Sequence, residues 1–97
     1  MRAPLISVII PTHNRVLLLE KAINSVLMQS ERDFELIIVD DASTDETFEL
    51  LNHFVENDAR IKVIKNIVAL GGGGARNVGI FASKGKWVAF LDDDDYW

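Results

Sequence analysis

Apolar runs and helical periodicity alternate along the chain. Leu5 to Ile10 is a continuous run, rich in β-branched residues, that closes at a turn-forming segment, which is typical of a strand covered on both faces. From about Arg15 to Gln29, apolar residues recur at the spacing of a single buried helical stripe: Leu19, Ala22, Ile23, Val26 and Leu27. These patterns predict a strand followed by a helix.

The alternation continues through the rest of the sequence. We predict further strands at Phe34 to Val39, Ile61 to Ile64 and Trp87 to Leu91. Helical patterns run from Ser43 to about Asn57 and from about Ala75 to Ser83. Strands that alternate with helices imply parallel βαβ units with right-handed crossovers. The predicted fold is therefore α/β, a Rossmann-like parallel sheet with helices on both faces.

Two helix starts carry specific signals. Ser43 and Glu46 have the capping-box spacing, in which each side chain satisfies the other residue's backbone amide. Gly71 to Gly74 predict a flexible loop before the third helix, but Arg76 or Asn77 occupies the last glycine position of a dinucleotide fingerprint. That loop either brings amides to an anion at the helix N-terminus or is an ordinary connection. Arg76 is a candidate contact to a base or phosphate, or else an ion-pair partner of a surface carboxylate.

Composition narrows the class of protein. A chain of 97 residues with 48% hydrophobic residues is one globular domain or part of one. The net charge of −5 and the scattered Lys and Arg residues argue against nucleic acid as a partner. Cysteine is absent, which excludes thiolate nucleophiles and Cys-based zinc sites, and no apolar stretch approaches the length of a membrane span.

Polar residues cluster where the predicted strands end. In open parallel sheets, ligands bind outside the carboxyl ends of the strands, near the point where the strand order reverses. That rule selects Pro11 to Asn14, Asp40 with Asp41, Asn66, and Asp92 to Asp95. Carboxylates that converge from two strand ends favour a hard cation with oxygen ligands. His13 has no second His or Cys at metal spacing, so a stacking or turn role is expected for it rather than zinc binding.

Five segments in chain order resemble the N-terminal half of the family-two inverting glycosyltransferases: SVIIPTHNR, AINSVLMQS, FELIIVDDASTDET, GGARNVGI and WVAFLDDDDYW. The resemblance covers nearly the whole chain and implies part of the GT-A nucleotide-diphospho-sugar transferase fold. It implies that residues 1–97 form one donor-nucleotide-binding subdomain, a fragment of a longer transferase domain. The implied function is metal-dependent, inverting sugar transfer of the hexosyltransferase type, in cell-wall or polysaccharide biosynthesis.

The resemblance also implies residue roles. Asp92 to Asp94 match the D-x-D element, in which Asp94 binds Mn²⁺ or Mg²⁺ and Asp93 lies near the ribose. Asp41 would accept a hydrogen bond from the base, and the family often has Tyr where this chain has His13. With Arg76 added, the expected nucleotide-binding residues are Pro11, Thr12, His13, Asp41, Arg76, Asp92 and Asp93.

The chemistry of these side chains agrees with the implied donor. A divalent ion neutralises the charge that develops on a leaving diphosphate, and carboxylates are suited to hold the ion rather than the phosphate. The ionised carboxylate of Asp41 can only accept, which suits the N–H of uracil, thymine or guanine. The expected partners are therefore a uridine, thymidine or guanosine diphosphate sugar and a glycan, lipid or protein acceptor that the sequence leaves open.

Several expectations concern the whole protein. No catalytic base is expected within the chain, because the resemblance places it in the second half of the domain. Apolar surface beside the fourth strand predicts self-association of the 97-residue chain. The expected location is cytoplasmic, with peripheral attachment at the inner membrane face as an option.

Two other functions fit parts of the pattern. In a phospho-accepting receiver domain, Asp40 and Asp41 would hold Mg²⁺ and one of the last aspartates would be phosphorylated. An extra strand and helix before the acidic pair, and the lack of later strands with the Thr and Lys of such switches, disfavour this alternative. The second alternative is a catalytically silent nucleotide-binding module with the same cleft.

Overall fold

The computed structural model describes residues 3–97. Within them, strands β1 (Ile6–Thr12), β2 (Phe34–Asp41), β3 (Ile61–Asn66) and β4 (Trp87–Phe90) alternate with three helices. The helices are α1 (Val16–Leu27), α2 (Thr47–Asn57) and α3 (Gly71–Ala82). All strand pairs are parallel, and their order across the sheet is β3-β2-β1-β4. The predicted α/β fold with a parallel sheet is confirmed.

Both faces of the sheet are covered by helices. Even-numbered residues of β1 and β2 pack with α1 and α2, and the pairs Val8 with Ile10 and Leu36 with Ile38 are buried there. Odd-numbered residues of the same strands pack beneath α3, which contributes Ala75: Ile9, Ile37 and Val39. Successive side chains of a strand point to opposite faces of the sheet. A strand whose residues are all apolar therefore contributes to a hydrophobic core on each face.

The strand order reverses between β1 and β4, since β2 and β3 are added on one side of β1 and β4 on the other. The carboxyl ends of these two strands therefore border the crevice in which parallel sheets bind ligands. The Leu91 amide donates to the Ile9 carbonyl at 3.1 Å, so β1 turns the polar groups of Ile9 toward β4. The backbone of Pro11, two residues further, also faces the β4 side, but β4 does not pair with β1 beyond Ile9. The N–H that Pro lacks would therefore have no partner strand there, so Pro11 costs no ladder hydrogen bond.

Helix α2 begins at Thr47, three residues later than the capping-box pattern predicts, since that pattern makes Ser43 rather than Glu46 the N-cap. The Ser43 hydroxyl accepts a hydrogen bond from the Asn14 amide at 3.0 Å, so it is used by the loop after β1. Asp45 Oδ1 accepts from the Thr47 amide at 3.0 Å, while the N-cap residue Glu46 makes no side-chain cap bond. The capping-box prediction is wrong because a contact distant in sequence takes the Ser43 hydroxyl.

Helix α3 includes the four glycines that were predicted to form a loop. Gly71, with φ of +78°, begins the helix, and Gly72 to Gly74 complete its first turn. The Asp41 carboxylate accepts the amides of Leu70 and Gly71 at 2.8 Å and 2.9 Å, which stabilises a helix start with poor intrinsic propensity. The predictions of a flexible glycine loop and of a start near Ala75 are wrong for this reason.

Among the helices of residues 3–97, none combines the length and the apolar character that a membrane crossing demands.

Candidate functional site

A cleft of about 350 Å³ lies at the carboxyl ends of β1, β2 and β4, against the first turn of α3. The expected nucleotide-binding residues and the expected metal ligand line it, namely Pro11, Thr12, His13, Asp41, Arg76, Asp92, Asp93 and Asp94, whereas the other strand-end residues, Asn14, Asp40, Asn66 and Asp95, do not. The structure also adds Arg15, Gly72 and Ala75 to the lining. Residues that lie far apart in sequence are thus brought together where the strand order reverses.

Asp41 is the most strongly hydrogen-bonded carboxylate of the cleft. Its Oδ1 accepts from Asn66 Nδ2 at 2.9 Å and from the Leu70 amide at 2.8 Å. Among residues 3–97, Oδ2 accepts only the Gly71 amide, at 2.9 Å. Burial alone raises the pKa of Asp41, but these three hydrogen bonds, together with His13, outweigh burial and hold the pKa below its ordinary value. Asp41 is therefore ionised at neutral pH, with acceptor capacity left on Oδ2.

His13 lies beside Asp41 and is held by both ring nitrogens. Nδ1 is 2.6 Å from the Asp41 carbonyl oxygen, and Nε2 is 3.2 Å from Asn14 Nδ2. These two contacts fix the ring plane next to the Asp41 carboxylate. The sequence places Asn14 at the end of β1 but indicates no role for it, and its contact with His13 is visible only in three dimensions.

Asp93 connects β1 to the acidic segment after β4. This carboxylate is only 7% exposed, and it accepts hydrogen bonds from Thr12 Oγ1 at 2.9 Å and from Arg15 Nη1 at 3.2 Å. A buried carboxylate needs such partners because desolvation of an unpaired charge is costly. Sequence reasoning missed Arg15, although its position directly after the turn that ends β1 is a signal that could have found it.

The two neighbouring carboxylates are half-exposed and are also paired with cations. Arg15 Nη1 lies 3.2 Å from Asp94 Oδ2, and Arg76 Nη2 lies 3.0 Å from Asp92 Oδ1. Two guanidinium groups thus offset the three carboxylates of Asp92 to Asp94, which leaves the acidic side of the cleft with a small net negative charge.

The carboxylates of Asp92 to Asp94 are better suited to a divalent ion that also binds a ligand than to an ion held by protein atoms alone. Across residues 3–97, no three His, Cys, Asp or Glu side chains come together as a metal-ion cluster. The side chain of Asp94 is 51% exposed and lines the cleft. Mg²⁺ and similar hard ions commonly bind through one or two carboxylates plus the phosphates of a substrate. The donor set fits that arrangement.

Asp40 does not belong to the cleft. It lies on the face of the sheet opposite to Asp41, is 2% exposed and accepts a hydrogen bond from the Ser43 amide at 3.1 Å. The expectation from sequence that Asp40 and the last aspartates converge on one site is therefore wrong. A receiver-type Mg²⁺ site built from Asp40 and Asp41 is also unsupported, because the two side chains point to opposite faces.

The model of the family described as "Glycosyl transferase family 2" matches residues 7–97. The chain belongs to glycosyl transferase family 2. One curated relative is WfaP of Escherichia coli, named UDP-Glc:alpha-D-GlcNAc-diphosphoundecaprenol beta-1,3-glucosyltransferase. It is 42% identical to this family-2 chain over 93 residues, which cover 96% of this chain and 36% of WfaP.

Two solved structures resemble this family-2 chain in fold. The S. aureus TarS structure in complex with UDP is 34% identical, with a TM-score of 0.87, over 95% of this chain and 28% of TarS. The mannosyltransferase PcManGT from Pyrobaculum calidifontis, in complex with GDP-Man and Mn²⁺, is 26% identical, with a TM-score of 0.89, over 100% of this chain and 29% of that one. The GT-A fold implied by the sequence resemblance is confirmed.

This family-2 chain is short beside its relatives. It spans about a third of the length of the curated relatives it matches, from 30% to 38% in four of them.

Proposed function

We propose that the cleft binds the nucleoside diphosphate of a sugar donor, and that the chain is the donor-binding part of a metal-dependent, inverting glycosyltransferase. The observation that carries this proposal is the division of the cleft into two ends. His13 contacts Asp41 at the end of β2, whereas the carboxylates of Asp92 to Asp94, paired with two guanidinium groups, follow β4 on the other side of β1. The UDP named for TarS and the GDP-Man and Mn²⁺ named for PcManGT support the same ligand class.

The end formed by His13 and Asp41 is proposed to bind the base. The free acceptor position on Asp41 Oδ2 accepts the N–H of uracil, thymine or guanine, whereas adenine and cytosine present bare ring acceptors there. Pro11 and the His13 ring supply the apolar and aromatic surface beside it.

The acidic end is proposed to bind the ribose and the diphosphate. Asp93, already anchored by Thr12, lies toward the ribose, while Asp94 holds Mn²⁺ or Mg²⁺. The ion, when bound, neutralises the charge of the leaving diphosphate. Arg15 and Arg76 contact carboxylates in this structure, and they can instead donate hydrogen bonds to the phosphate oxygens of a bound donor.

The acceptor and the general base are proposed to lie outside residues 1–97. An inverting transfer needs a base on the side opposite the leaving group, whereas Asp92 to Asp94 are assigned to the leaving-group side. The WfaP name combines UDP-glucose with a β-1,3 product on a diphosphoundecaprenol lipid. Because UDP-glucose is an α-linked donor, that product requires inversion, and a lipid-linked acceptor at a membrane surface is the acceptor class we propose here.

Titration calorimetry with UDP, dTDP, GDP and ADP, each with Mn²⁺ and with a chelator, tests the proposal. We expect binding of the first three in Mn²⁺ only. Equal binding in chelator would contradict the metal bridge, and no binding of any diphosphate would contradict the donor site.

Incubation with acetyl phosphate tests the receiver alternative, which predicts a stable aspartyl phosphate.

A transfer assay on the 97-residue chain and on a full-length relative tests the rest. We expect transfer by the relative alone, and transfer by the short chain would contradict the donor-only assignment. Sugar transfer by a longer form of this protein would exclude the silent module. Self-association through the exposed side chains Phe81, Val88 and Phe90 stays a prediction, to be checked by light scattering.

A further inference from the structure

Asn14 ties the loop after β1 to the loop before α2. Its φ of +53° lies in the left-handed region, which Asn adopts more readily than most residues. Its Oδ1 accepts hydrogen bonds from the Thr44 amide at 2.7 Å and the Asp45 amide at 3.2 Å, and its own amide donates to Ser43 Oγ. Since backbone amides can only donate, the side-chain oxygen of Asn14 must face α2, and its NH₂ group must face His13.

The two contacts of His13 then determine its tautomer. The Asp41 carbonyl can only accept, so Nδ1 of His13 carries the proton in the 2.6 Å contact. Asn14 Nδ2 can only donate, so Nε2 of His13 is the acceptor in the 3.2 Å contact. The neutral Nδ1–H tautomer satisfies both contacts at once, whereas the Nε2–H tautomer would oppose a donor to a donor and an acceptor to an acceptor.

We infer that Asn14 is a positioning residue that fixes the Nδ1–H tautomer and the ring orientation of His13. With both ring nitrogens engaged inside the protein, His13 has only its ring face and C–H edges to present to the cleft. It therefore meets a bound base by stacking, and base identity is read by Asp41. The statement about the base rests on the proposed function, whereas the statement about the tautomer stands without it.

Nitrogen-15 NMR of the imidazole rings in the 97-residue chain measures the tautomer directly. The sequence has two histidines, His13 and His53, so the spectrum contains an internal reference. His53 is exposed on α2 and lies 3.5 Å from Asn57 Nδ2 through Nδ1. We expect His13 to show a protonated Nδ1 and an unprotonated Nε2. A protonated Nε2, or a spectrum averaged between the two tautomers, would overturn the inference.

Two substitutions of Asn14 separate its two functions. Asn14→Ala removes both sets of hydrogen bonds, whereas Asn14→Asp retains an acceptor for Thr44 and Asp45 and removes the donor to His13. We expect both variants to lose the neutral Nδ1–H signature, and Asn57→Ala, which removes the other Asn–His contact, to leave it intact. If Asn14→Ala fails to fold, Asn14→Asp still decides the matter. An unchanged His13 spectrum in Asn14→Asp would overturn the role of Asn14.

Calorimetry with UDP and Mn²⁺ connects the tautomer to the ligand. We expect Asn14→Asp to weaken UDP binding by roughly 3- to 10-fold, a part of what stacking of a base on an aromatic ring contributes, and Asn57→Ala to leave binding unchanged. Unchanged UDP affinity together with a changed His13 spectrum would overturn the stacking role. If the wild-type chain binds no UDP, the proposed function fails while the NMR result for the tautomer remains interpretable.

Discussion

The carboxylate of Asp41 accepts a hydrogen bond from the backbone amide of Gly71 at 2.9 Å, and so closes the amino end of α3. The same carboxylate accepts from Asn66 at the end of β3 and from the amide of Leu70. Two strands and a helix therefore meet at one charge that also lines the cleft. The residue proposed to recognise the base is at the same time a structural cap.

We expect Asp41→Asn to destabilise the chain by about 1–3 kcal/mol, the cost of a buried donor left without its acceptor. The amide offers one oxygen to three donors and turns an NH₂ group toward some of them. Urea denaturation at neutral pH measures the change in unfolding free energy. Glu56→Gln, an equivalent acid-to-amide change on the exposed face of α2, is the control and should shift it by less than about 0.5 kcal/mol. Equal effects of the two changes would contradict the cap.

The same residue gives a prediction for pH. The hydrogen bonds to Asp41 hold its folded-state pKa below the ordinary 3.8, although burial opposes them. The folded chain then binds fewer protons than the unfolded chain, so the stabilisation is complete above about pH 5 and is lost as pH falls through the folded-state pKa. The stability difference between wild type and Asp41→Asn should therefore narrow in acid. A difference that stays constant down to about pH 2 would count against the lowered pKa.

Helix α3 packs so closely on β1 that a methyl group at position 79 has no room. A Cβ added to Gly79 would lie 2.5 Å from Cγ2 of Ile9, which is fully buried. We expect Gly79→Ala to cost about 1–3 kcal/mol, as overpacking of a core does. Gly73→Ala is the matched control. Apart from its chain neighbours and the backbone of its own helix, no atom of residues 3–97 lies within 4 Å of the added Cβ, so the better helix propensity of Ala should stabilise by up to about 1 kcal/mol. Thermal unfolding of both variants gives the sign of each change.

The sequence predicted those parts of the fold that depend on local periodicity. The stripe through Leu19, Ile23 and Val26 is buried as predicted, and the β-branched runs became strands with residues packed on both faces. The cleft could also be predicted, since parallel strands bring their carboxyl ends to one edge of the sheet.

Helix starts and electrostatic partners could not be predicted, because they depend on contacts between distant segments. Ser43 looks like a cap until Asn14, on another loop, takes its hydroxyl. Gly71 looks like a loop residue until the carboxylate of Asp41, 30 positions earlier, accepts its amide. Asp40 and Asp41 look equivalent in sequence, but the alternation of side chains along β2 separates them.

Arg15 gives a prediction in which the affinities for metal and nucleotide change in opposite directions. Its guanidinium lies 3.2 Å from carboxylate oxygens of both Asp93 and Asp94, so it competes with any cation there. We expect Arg15→Gln to raise the Mn²⁺ affinity of the nucleotide-free chain by roughly 1.5- to 5-fold, which corresponds to about 0.2–1 kcal/mol for an exposed ion pair. Affinity for UDP with Mn²⁺ should fall, because a phosphate partner is lost.

The control for Arg15→Gln is Arg32→Gln, which changes the net charge equally at an exposed position before β2. Electron paramagnetic resonance of free Mn²⁺ measures metal affinity, and calorimetry measures UDP affinity. Equal Mn²⁺ affinities in the two variants would show that Arg15 acts only through net charge.

Asp94 and Asp95 are adjacent aspartates, but only Asp94 lines the cleft of Asp41 and His13. We expect Asp94→Asn to abolish most of the increase in UDP affinity that Mn²⁺ produces, because an amide is a far weaker ligand for a hard cation than a carboxylate. In chelator, Asp94→Asn should bind no UDP, as expected for the wild type. Asp95→Asn removes one negative charge from the same segment and should retain the response to Mn²⁺. A response that survives in Asp94→Asn, or that is lost equally in both variants, would show that the metal is bound by other atoms of the acidic segment.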